Sequence, residues 1–565
     1  MKRTFVEATM KRVSISACLY LFLVQSASAQ EKLTVNQLVS RNIAAGATDM
    51  YSISLNDGDY VGASISRHGA VNVFILNPDR SVMRRSLGTP GDARIQFAFA
   101  AEGGGVYWIS IANPGEQAAS YELLLQKIVS LNERFRPEAW SDPDPSPRIQ
   151  ALRNQISSGQ TNTEGFWKQV AEQGTPLVEP FDDKYRLMTF LWRAQHDTRN
   201  ALVVGSFKVP GPAPNNIMHQ IGDSDVWYLT LKLPKGSRFT YQLAPNNPPN
   251  SDGPQATAQA DPFNVKRWDC PQGASKYRCL SIAELPDAAP QPWIIGKPGT
   301  PEGRIEKQTI KSNIQKVERD LSVYTPAGYK SDGRPNALLV LFDGDDYLSS
   351  DWQGQTTLDN LIAAHKIPPA VAVMVHNLPN RRLVDLVANP EFADFVASEL
   401  VPWVRTHYNV TRESAGTAVG GCSAGGLAAA YIALRHSEVF GNVLSMSGAF
   451  WWAPDHDGGV CGAKCPESGG RHASPGLDAT TEPNWIAKQF ITTAKLPVRF
   501  YLSAGTFEVD KNGAGGNILE STRTLRDVLI VKGYEVRYQQ FDGGHDDLVW
   551  RGALADGLIA LLGRP

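Results

Sequence analysis

The 565-residue sequence has little net charge, few cysteines and, after its N-terminus, no long apolar run. A formal charge of −2 without a basic tract excludes the electrostatic footprint of a nucleic-acid-binding protein. No later segment reaches the roughly 20 apolar residues of a membrane-spanning helix. Histidines and cysteines do not cluster with metal-ligand spacing, so the sequence predicts neither a metal nor a cofactor.

The N-terminus is typical of a cleavable export signal. Four basic residues precede an apolar run at 13–24, and the small residues at 27–29 suit cleavage before Gln30. A membrane anchor is the alternative, but this run is shorter than a spanning helix needs. We therefore expect residues 1–29 to be removed and the mature protein to be periplasmic or secreted.

Five cysteines remain outside this leader. Cys270 and Cys279 are close in sequence, as are Cys461 and Cys465, and an oxidising compartment allows each pair to form a disulfide. Zinc binding by these cysteines is the alternative, although the pairs are far apart and lack interleaved histidines. Cys422 is left unpaired.

The length favours about three to four domains. Residues 30–130 alternate apolar and polar positions in short runs between turns, which predicts a β-sandwich. A proline-rich linker at 131–160 ends in a short helix, and 161–300 predict a second β-sandwich.

From residue 301 to 565, strand-like and helix-like segments alternate, which predicts a mainly parallel sheet with helices on both faces. Ligand sites then lie at the carboxyl ends of the strands. The predicted strands are 337–342, 370–375, 417–420, 443–446, 498–504 and 536–541.

Gly421-Cys422-Ser423-Ala424-Gly425 is a G-x-S-x-G motif between a predicted strand and a predicted helix. A strand-to-helix elbow of this kind exposes a serine nucleophile and crowds its neighbours, so small flanking residues are needed. The alternative is a glycine-rich turn with an idle serine. The strand before and the helix after favour Ser423 as the nucleophile.

Serine needs a base, and the base needs an acid. Of the four histidines after Ser423, only His545 directly follows a predicted strand on a glycine turn. Glu508 follows the strand at 498–504 and is the predicted acid, with Asp510 as the alternative. For the oxyanion hole we predict the amide of Ala424 and the turn containing Gly344 and Asp345.

Several blocks resemble the enterochelin (enterobactin) esterase family of esterase D-type α/β-hydrolases. They are 166–179, 223–228 and 261–264 in the second β-rich region, and 423–427, 440–452 and 543–552 around the predicted catalytic residues. The resemblance starts near residue 161. It implies an N-terminal β-sandwich followed by an α/β-hydrolase domain. Together with the sandwich predicted from the pattern of residues 30–130, the expected fold is multidomain, with two N-terminal β-sandwich domains followed by an α/β-hydrolase domain.

The resemblance also implies a substrate class: an enterobactin-type catecholate siderophore, ferric or iron-free, whose serine trilactone is hydrolysed for iron release. Residues 51–61 weakly resemble the pre-peptidase C-terminal type of accessory domain. The leader and this extra domain are similar to the periplasmic branch of the family.

A ferric tricatecholate is a bulky anion, so its site is expected to offer cations and aromatic faces. We predict Arg381, Arg382, Trp451, Trp452 and Arg551 as substrate-binding residues because we place them at loop positions, with the arginine pair just past the strand at 370–375. A solvated loop is the alternative for the arginine pair.

Two other functions remain open. One is a feruloyl or acetyl esterase acting on carbohydrate, which shares this fold. The other is a binding protein with a vestigial triad. The order of serine, acid and histidine argues against the binding protein, and the block at 223–228 argues against the carbohydrate esterase.

Overall fold

The structure is a computed structural model that describes residues 31–85, 94–130, 146–195, 198–206, 216–247, 257–272, 274–453, 484–509 and 517–563. The leader, the first half of the linker, Cys461, Cys465 and Asp510 lie outside the described residues. No helix within these ranges is long and apolar enough to cross a membrane.

In the first region, the regular elements of residues 31–85 and 94–130 are all strands. They form a five-stranded sheet in the order β1-β3-β8-β5-β6 and a four-stranded sheet in the order β2-β9-β4-β7. One apolar core draws on both sheets, for example Ile53 and Ile109 from one and Ile65 and Leu123 from the other. The strands are β1 Glu31–Lys32, β2 Leu38–Ile43, β3 Thr48–Leu55, β4 Tyr60–His68, β5 Asn72–Leu76, β6 Val82–Arg85, β7 Arg94–Ala100, β8 Gly105–Ala112 and β9 Ala119–Val129.

The second region begins with two helices and continues with two four-stranded sheets, ordered β10-β11-β14-β13 and β12-β15-β17-β16. Ser146 caps the first helix by accepting a hydrogen bond from the amide of Ile149, and Pro147 occupies its first turn. The elements are α1 Pro147–Ser157, α2 Glu164–Gln173, β10 Leu177–Pro180, β11 Tyr185–Arg193, β12 Ala201–Gly205, β13 His219–Gln220, β14 Val226–Pro234, β15 Arg238–Pro245, β16 Arg267–Trp268 and β17 Leu280–Glu284.

The third region is built on an eight-stranded sheet ordered β18-β19-β21-β20-β22-β23-β24-β25. Its last six strands are parallel, and β18 and β19 run antiparallel at one edge. The strands are β18 Arg304–Lys311, β19 Glu318–Thr325, β20 Ala337–Phe342, β21 Ala370–Val375, β22 Thr417–Cys422, β23 Asn442–Met446, β24 Arg499–Gly505 and β25 Glu535–Phe541.

Helices cover both faces of this sheet. They are α3 Gly354–Ala363, α4 Arg382–Leu386, α5 Pro390–Phe395, α6 Val401–His407, α7 Ala424–Arg435, α8 Trp485–Thr492, α9 Ile518–Val531 and α10 Asp547–Leu562. One core joins the sheet to α5 through α9, and a second core joins its other face to α3 and α10. Strands β20, β21, β22 and β23 are buried at every position, as in parallel sheets covered on both sides.

The six strands predicted for the third region are confirmed, each to within two residues at its ends. The antiparallel pair β18 and β19 was not predicted. Strand β18 is mostly polar and has one buried position, whereas β19 is largely buried. Because β20, β22, β24 and β25 run parallel, their carboxyl ends lie along one edge of the sheet. The predicted catalytic residues follow these ends.

Candidate active site

Ser423 lies at the turn between β22 and α7, with φ 55° and ψ −119°. Such a left-handed conformation is strained for a residue with a side chain. A Cβ on Gly421 would approach the carbonyl carbon of Gly425 to 2.8 Å, so a glycine is required there. Gly425 itself is less constrained, since its nearest neighbour, Asp343, would be 3.4 Å away. The tight turn explains the small residues of the motif.

The structure brings three predicted catalytic residues into one hydrogen-bonded line. His545 Nε2 is 2.9 Å from Ser423 Oγ, and His545 Nδ1 is 2.6 Å from Glu508 Oε1. The residues follow β22, β24 and β25, so the parallel sheet sets their spacing. The arrangement allows the imidazole to remove the serine proton while the carboxylate orients the ring.

The Glu508 carboxylate is held by further contacts that sequence reasoning missed. Its second oxygen, Oε2, accepts hydrogen bonds from the amide of Gly505 at 2.6 Å and from Ser447 Oγ at 2.8 Å. Ser447 Oγ in turn accepts one from Trp550 Nε1 at 2.9 Å, and the indole packs edge-on against the His545 ring at 4.6 Å between centroids. The family blocks at 440–452 and 543–552 contain Ser447 and Trp550 and were the only signal for these two residues.

Two backbone amides are available near the nucleophile. Ala424 begins α7, and neither its amide nor that of Asp345 has an acceptor among the described residues. Gly344 differs from the prediction: its amide donates to the carbonyl of Val375 at 2.9 Å. A Cβ at this position would lie 2.8 Å from the backbone of Met374. Gly344 therefore allows the turn to approach β21, not the substrate.

The turn after β20 is fixed by ion pairs, and this bears on the predicted arginines. Arg382 contacts both carboxylate oxygens of Asp343, with Nε–Oδ1 2.6 Å and Nη2–Oδ2 2.8 Å. Asn377 donates to the same carboxylate at 2.6 Å. Arg381 instead pairs with the buried Asp385 at 3.2 Å. Both arginines are thus engaged within the protein, a pairing that sequence analysis did not foresee.

The other predicted binding residues are also partly occupied. Arg551 donates to Gln291 Oε1 at 2.8 Å and to the carbonyl of Asp351 at 2.9 Å, and burial lowers its pKa to about 10. Trp452 packs edge-on against Trp485. Trp451 packs against both the main core and a small cluster beside β24. Both tryptophans remain half-buried and follow a segment whose Ala449 amide donates to the Ser423 carbonyl at 3.0 Å.

Two further carboxylates influence each other beside the turn. Asp346 is exposed at its surface, and desolvation followed by the charge of Asp343 raises its pKa to about 6. Burial, followed by the charge of Asp346, raises the pKa of Asp547 to about 7. No group of three metal-ligating side chains occurs among the described residues.

Comparison with known proteins gives the family. Residues 187–294 match the family model "Enterochelin esterase, N-terminal", and 312–561 match "Putative esterase". An iron(III) enterobactin esterase of Escherichia coli O6:H1 is 30% identical over 428 residues, covering 71% of this chain and 96% of that protein. The chain belongs to the enterochelin (enterobactin) esterase family. Chains of the enterochelin esterase family are carboxylic ester hydrolases.

Other members of the enterochelin esterase family are similarly related. An iron(III) salmochelin esterase from the same organism is 28% identical over 74% of this chain and 98% of its own length. The crystal structure of an enterobactin esterase from Shigella flexneri, determined in the presence of enterobactin, is 25% identical with a TM-score of 0.53. It covers 70% of this chain and 97% of that one. The similarity therefore extends over nearly the full length of these esterases.

Proposed function

We propose that this chain is an exported serine esterase that hydrolyses the trilactone ester bonds of an enterobactin-type catecholate siderophore, ferric or iron-free, for iron release. Ser423 Oγ attacks a lactone carbonyl while His545 takes its proton and Glu508 orients the imidazole. The amides of Ala424 and Asp345 stabilise the oxyanion. His545 then protonates the leaving serine hydroxyl, and water activated by the same imidazole releases the acyl product.

One observation carries this proposal. The hydrogen-bonded line of Ser423, His545 and Glu508 occurs in a chain that spans 96% of an iron(III) enterobactin esterase. Structures of the Shigella flexneri enzyme in the presence of enterobactin and of 2,3-dihydroxy-N-benzoyl-serine support a catecholate-bearing serine ester as the substrate. Iron enters here as cargo of the substrate and takes no part in the bond cleavage.

We assign the fold and domains accordingly. Residues 30–130 and 161–300 are β-sandwich domains joined by a linker at 131–160, and 301–565 are an α/β-hydrolase domain. Paired sheets that share one core in each N-terminal region support the first part, and the helix-covered parallel sheet supports the second. The leader at 1–29 supports a periplasmic or secreted location.

A product analysis tests the proposal. Purified protein is incubated with iron-free and ferric enterobactin, and the linear trimer, dimer and monomer of 2,3-dihydroxybenzoyl-serine are followed by chromatography. We expect linear products with the wild type and none with Ser423→Ala. Methyl ferulate and acetylated xylan serve as comparison substrates. Faster turnover of either comparison ester, with intact enterobactin left over, would assign the carbohydrate esterase function instead.

A further inference from the structure

The second β-rich region contacts the turn that carries His545. The amide of His545 donates to the carbonyl of Ser206 at 3.0 Å, directly after β12. Three residues earlier, the carbonyl of Asp542 accepts from the amide of Arg238 at 2.9 Å, at the start of β15. The backbone on both sides of this turn is therefore attached to strands of another region of the chain.

Asp546, the neighbour of His545, makes the most extensive of these contacts. Its carboxylate is only 5% exposed, and Oδ1 caps α10 by accepting from the amide of Leu548 at 2.9 Å. The other oxygen, Oδ2, accepts from the Thr240 amide at 2.5 Å, from Thr240 Oγ1 at 2.8 Å and from Ser206 Oγ. Capping needs one acceptor oxygen. Among the described residues, the second oxygen accepts hydrogen bonds from the second β-rich region alone.

The loop that carries Glu508 is anchored to the same region. Phe507, the residue before it, is 7% exposed and belongs to the core formed by β11, β14 and β15. Its ring packs edge-on against Phe239 with 6.1 Å between centroids. The Phe507 amide also donates to the carbonyl of Gly543 at 3.0 Å, which joins the two catalytic loops.

We propose that the second β-rich region is a scaffold that positions His545 and Glu508, and that Asp546 is the positioning residue that connects it to the histidine. The inference rests on the proposed serine-esterase chemistry. Asp546 itself touches no reacting atom. It acts by holding the backbone of the next residue, and a displacement of about 1 Å at a catalytic group is enough to slow a reaction about a hundredfold.

The test compares two hydrogen-bonded carboxylates, of which one contacts the His545 turn and the other does not. Asp546→Asn keeps a good helix cap but turns an amide group toward the donors of Thr240 and Ser206. Asp225→Asn is the matched control, because Asp225 also accepts several hydrogen bonds within the second region, from Trp167 and Arg193 among others. No hydrogen bond joins it to either catalytic loop in the part of the chain that the structure describes. Both variants are compared at temperatures at which thermal unfolding shows them to be folded.

The measurements are kcat and KM for p-nitrophenyl butyrate and the rate of Ser423 labelling by a fluorophosphonate. For Asp546→Asn we expect kcat and the labelling rate to fall about ten- to a hundredfold while KM changes by less than about threefold. Asp225→Asn should leave all three unchanged. Ser206→Ala should lower kcat by a smaller factor, and the double variant should add little to Asp546→Asn because the two residues share one interaction.

Two results would overturn the inference. One is an equal loss of kcat in Asp546→Asn and Asp225→Asn, and the other is a folded Ser206→Ala variant with unchanged kcat and labelling rate. Ser206→Ala keeps the second criterion available if Asp546→Asn does not fold. Because the assay uses a simple ester, wild-type activity on it without activity on enterobactin would refute the proposed substrate and leave the positioning inference standing.

Discussion

Arg382 offers the sharpest test of how the turn after β20 contributes to catalysis. Its Nε and Nη2 donate to the two carboxylate oxygens of Asp343 at 2.6 and 2.8 Å. Asp343 has a left-handed φ of 59° within this turn. The amide of Asp345, a predicted oxyanion donor, is two residues further on. Replacing Arg382 by alanine leaves a nearly buried carboxylate with Asn377 as its remaining side-chain partner among the described residues.

The size of the effect follows from burial. Removing one partner of a fully buried ion pair costs about 3 to 5 kcal/mol. The Arg382 side chain is 32% exposed, so water replaces part of the interaction. We therefore expect Arg382→Ala to lower the free energy of unfolding by about 2 kcal/mol. Complete loss of one oxyanion donor slows acyl transfer about 10²- to 10³-fold. A displaced donor should cost less, so we expect kcat to fall about ten- to a hundredfold, or about 1.4 to 2.7 kcal/mol in activation free energy.

The assay compares two esters of different charge. We expect Arg382→Ala to lower kcat by the same factor on neutral p-nitrophenyl butyrate and on ferric enterobactin, with little change in KM. Arg382→Lys should restore part of the loss, because lysine keeps the charge but lacks the planar fork. Arg381→Ala is the control: its partner Asp385 is also held by Arg319 at 2.6 Å, so the effect should be small.

A different outcome would refute this reasoning. If Arg382→Ala raised KM for the ferric substrate several-fold and left the neutral ester unaffected, the arginine would be a substrate contact, as the sequence analysis predicted. Added salt would then also weaken binding of the ferric substrate by the wild type, because screening weakens exposed charge contacts with an anionic ligand.

Four further predictions concern the site and its surroundings. Ser423→Ala and His545→Ala should each abolish turnover of p-nitrophenyl butyrate without unfolding the protein, as judged by circular dichroism, and substantial residual activity would contradict the assigned roles. Ser447→Ala should lower kcat about tenfold, since Glu508 loses one donor and Trp550 its acceptor, whereas unchanged kcat would show that the Gly505 amide suffices to hold the carboxylate. The pKa of Asp547 is raised to about 7, so the folded state binds this proton more tightly than an unfolded chain, in which the pKa is about 3.9. The contribution of Asp547 to stability is therefore full below about pH 4 and is lost as the pH rises through 7. Asp547→Asn should consequently raise Tm more at pH 8 than at pH 5. Reducing the Cys270–Cys279 disulfide, which joins cysteines nine residues apart, should lower the free energy of unfolding by about 2 to 3 kcal/mol and leave kcat unchanged, as chemical denaturation and the ester assay will show.

The sequence predicted the parts of this molecule that depend on local pattern. The buried strands of the third region are recognisable because parallel strands covered on both faces are continuously apolar. Ser423, Glu508 and His545 were each identified because they follow a predicted strand, although β25, the strand before His545, is not continuously apolar. The parallel sheet then brings the three residues together. The Cys270–Cys279 disulfide, one of the two pairs considered, is present.

Contacts between distant segments were not predictable in the same way. Asp546 caps α10 through a local contact, but its partners Ser206 and Thr240 lie more than 300 positions earlier in the chain. Likewise, the pairing of Arg382 with Asp343 depends on the turn geometry after β20. Nothing in a single sequence reports which buried donors meet which carboxylate once several regions have packed together.

The contact between Thr240 and Asp546 has a consequence for the order in which the enzyme becomes active. These residues are 306 positions apart, an interval that a ribosome covers in about 15 to 60 s. The scaffold strands β12 and β15 are synthesised well before Ser423, and the histidine turn follows the serine and the acid. A nascent chain therefore contains β12, β15 and the nucleophile before it contains the base. The triad is complete only when β25 has joined the sheet and the turn with His545 has docked on the second β-rich region. An incomplete polypeptide lacks this histidine and is therefore inactive.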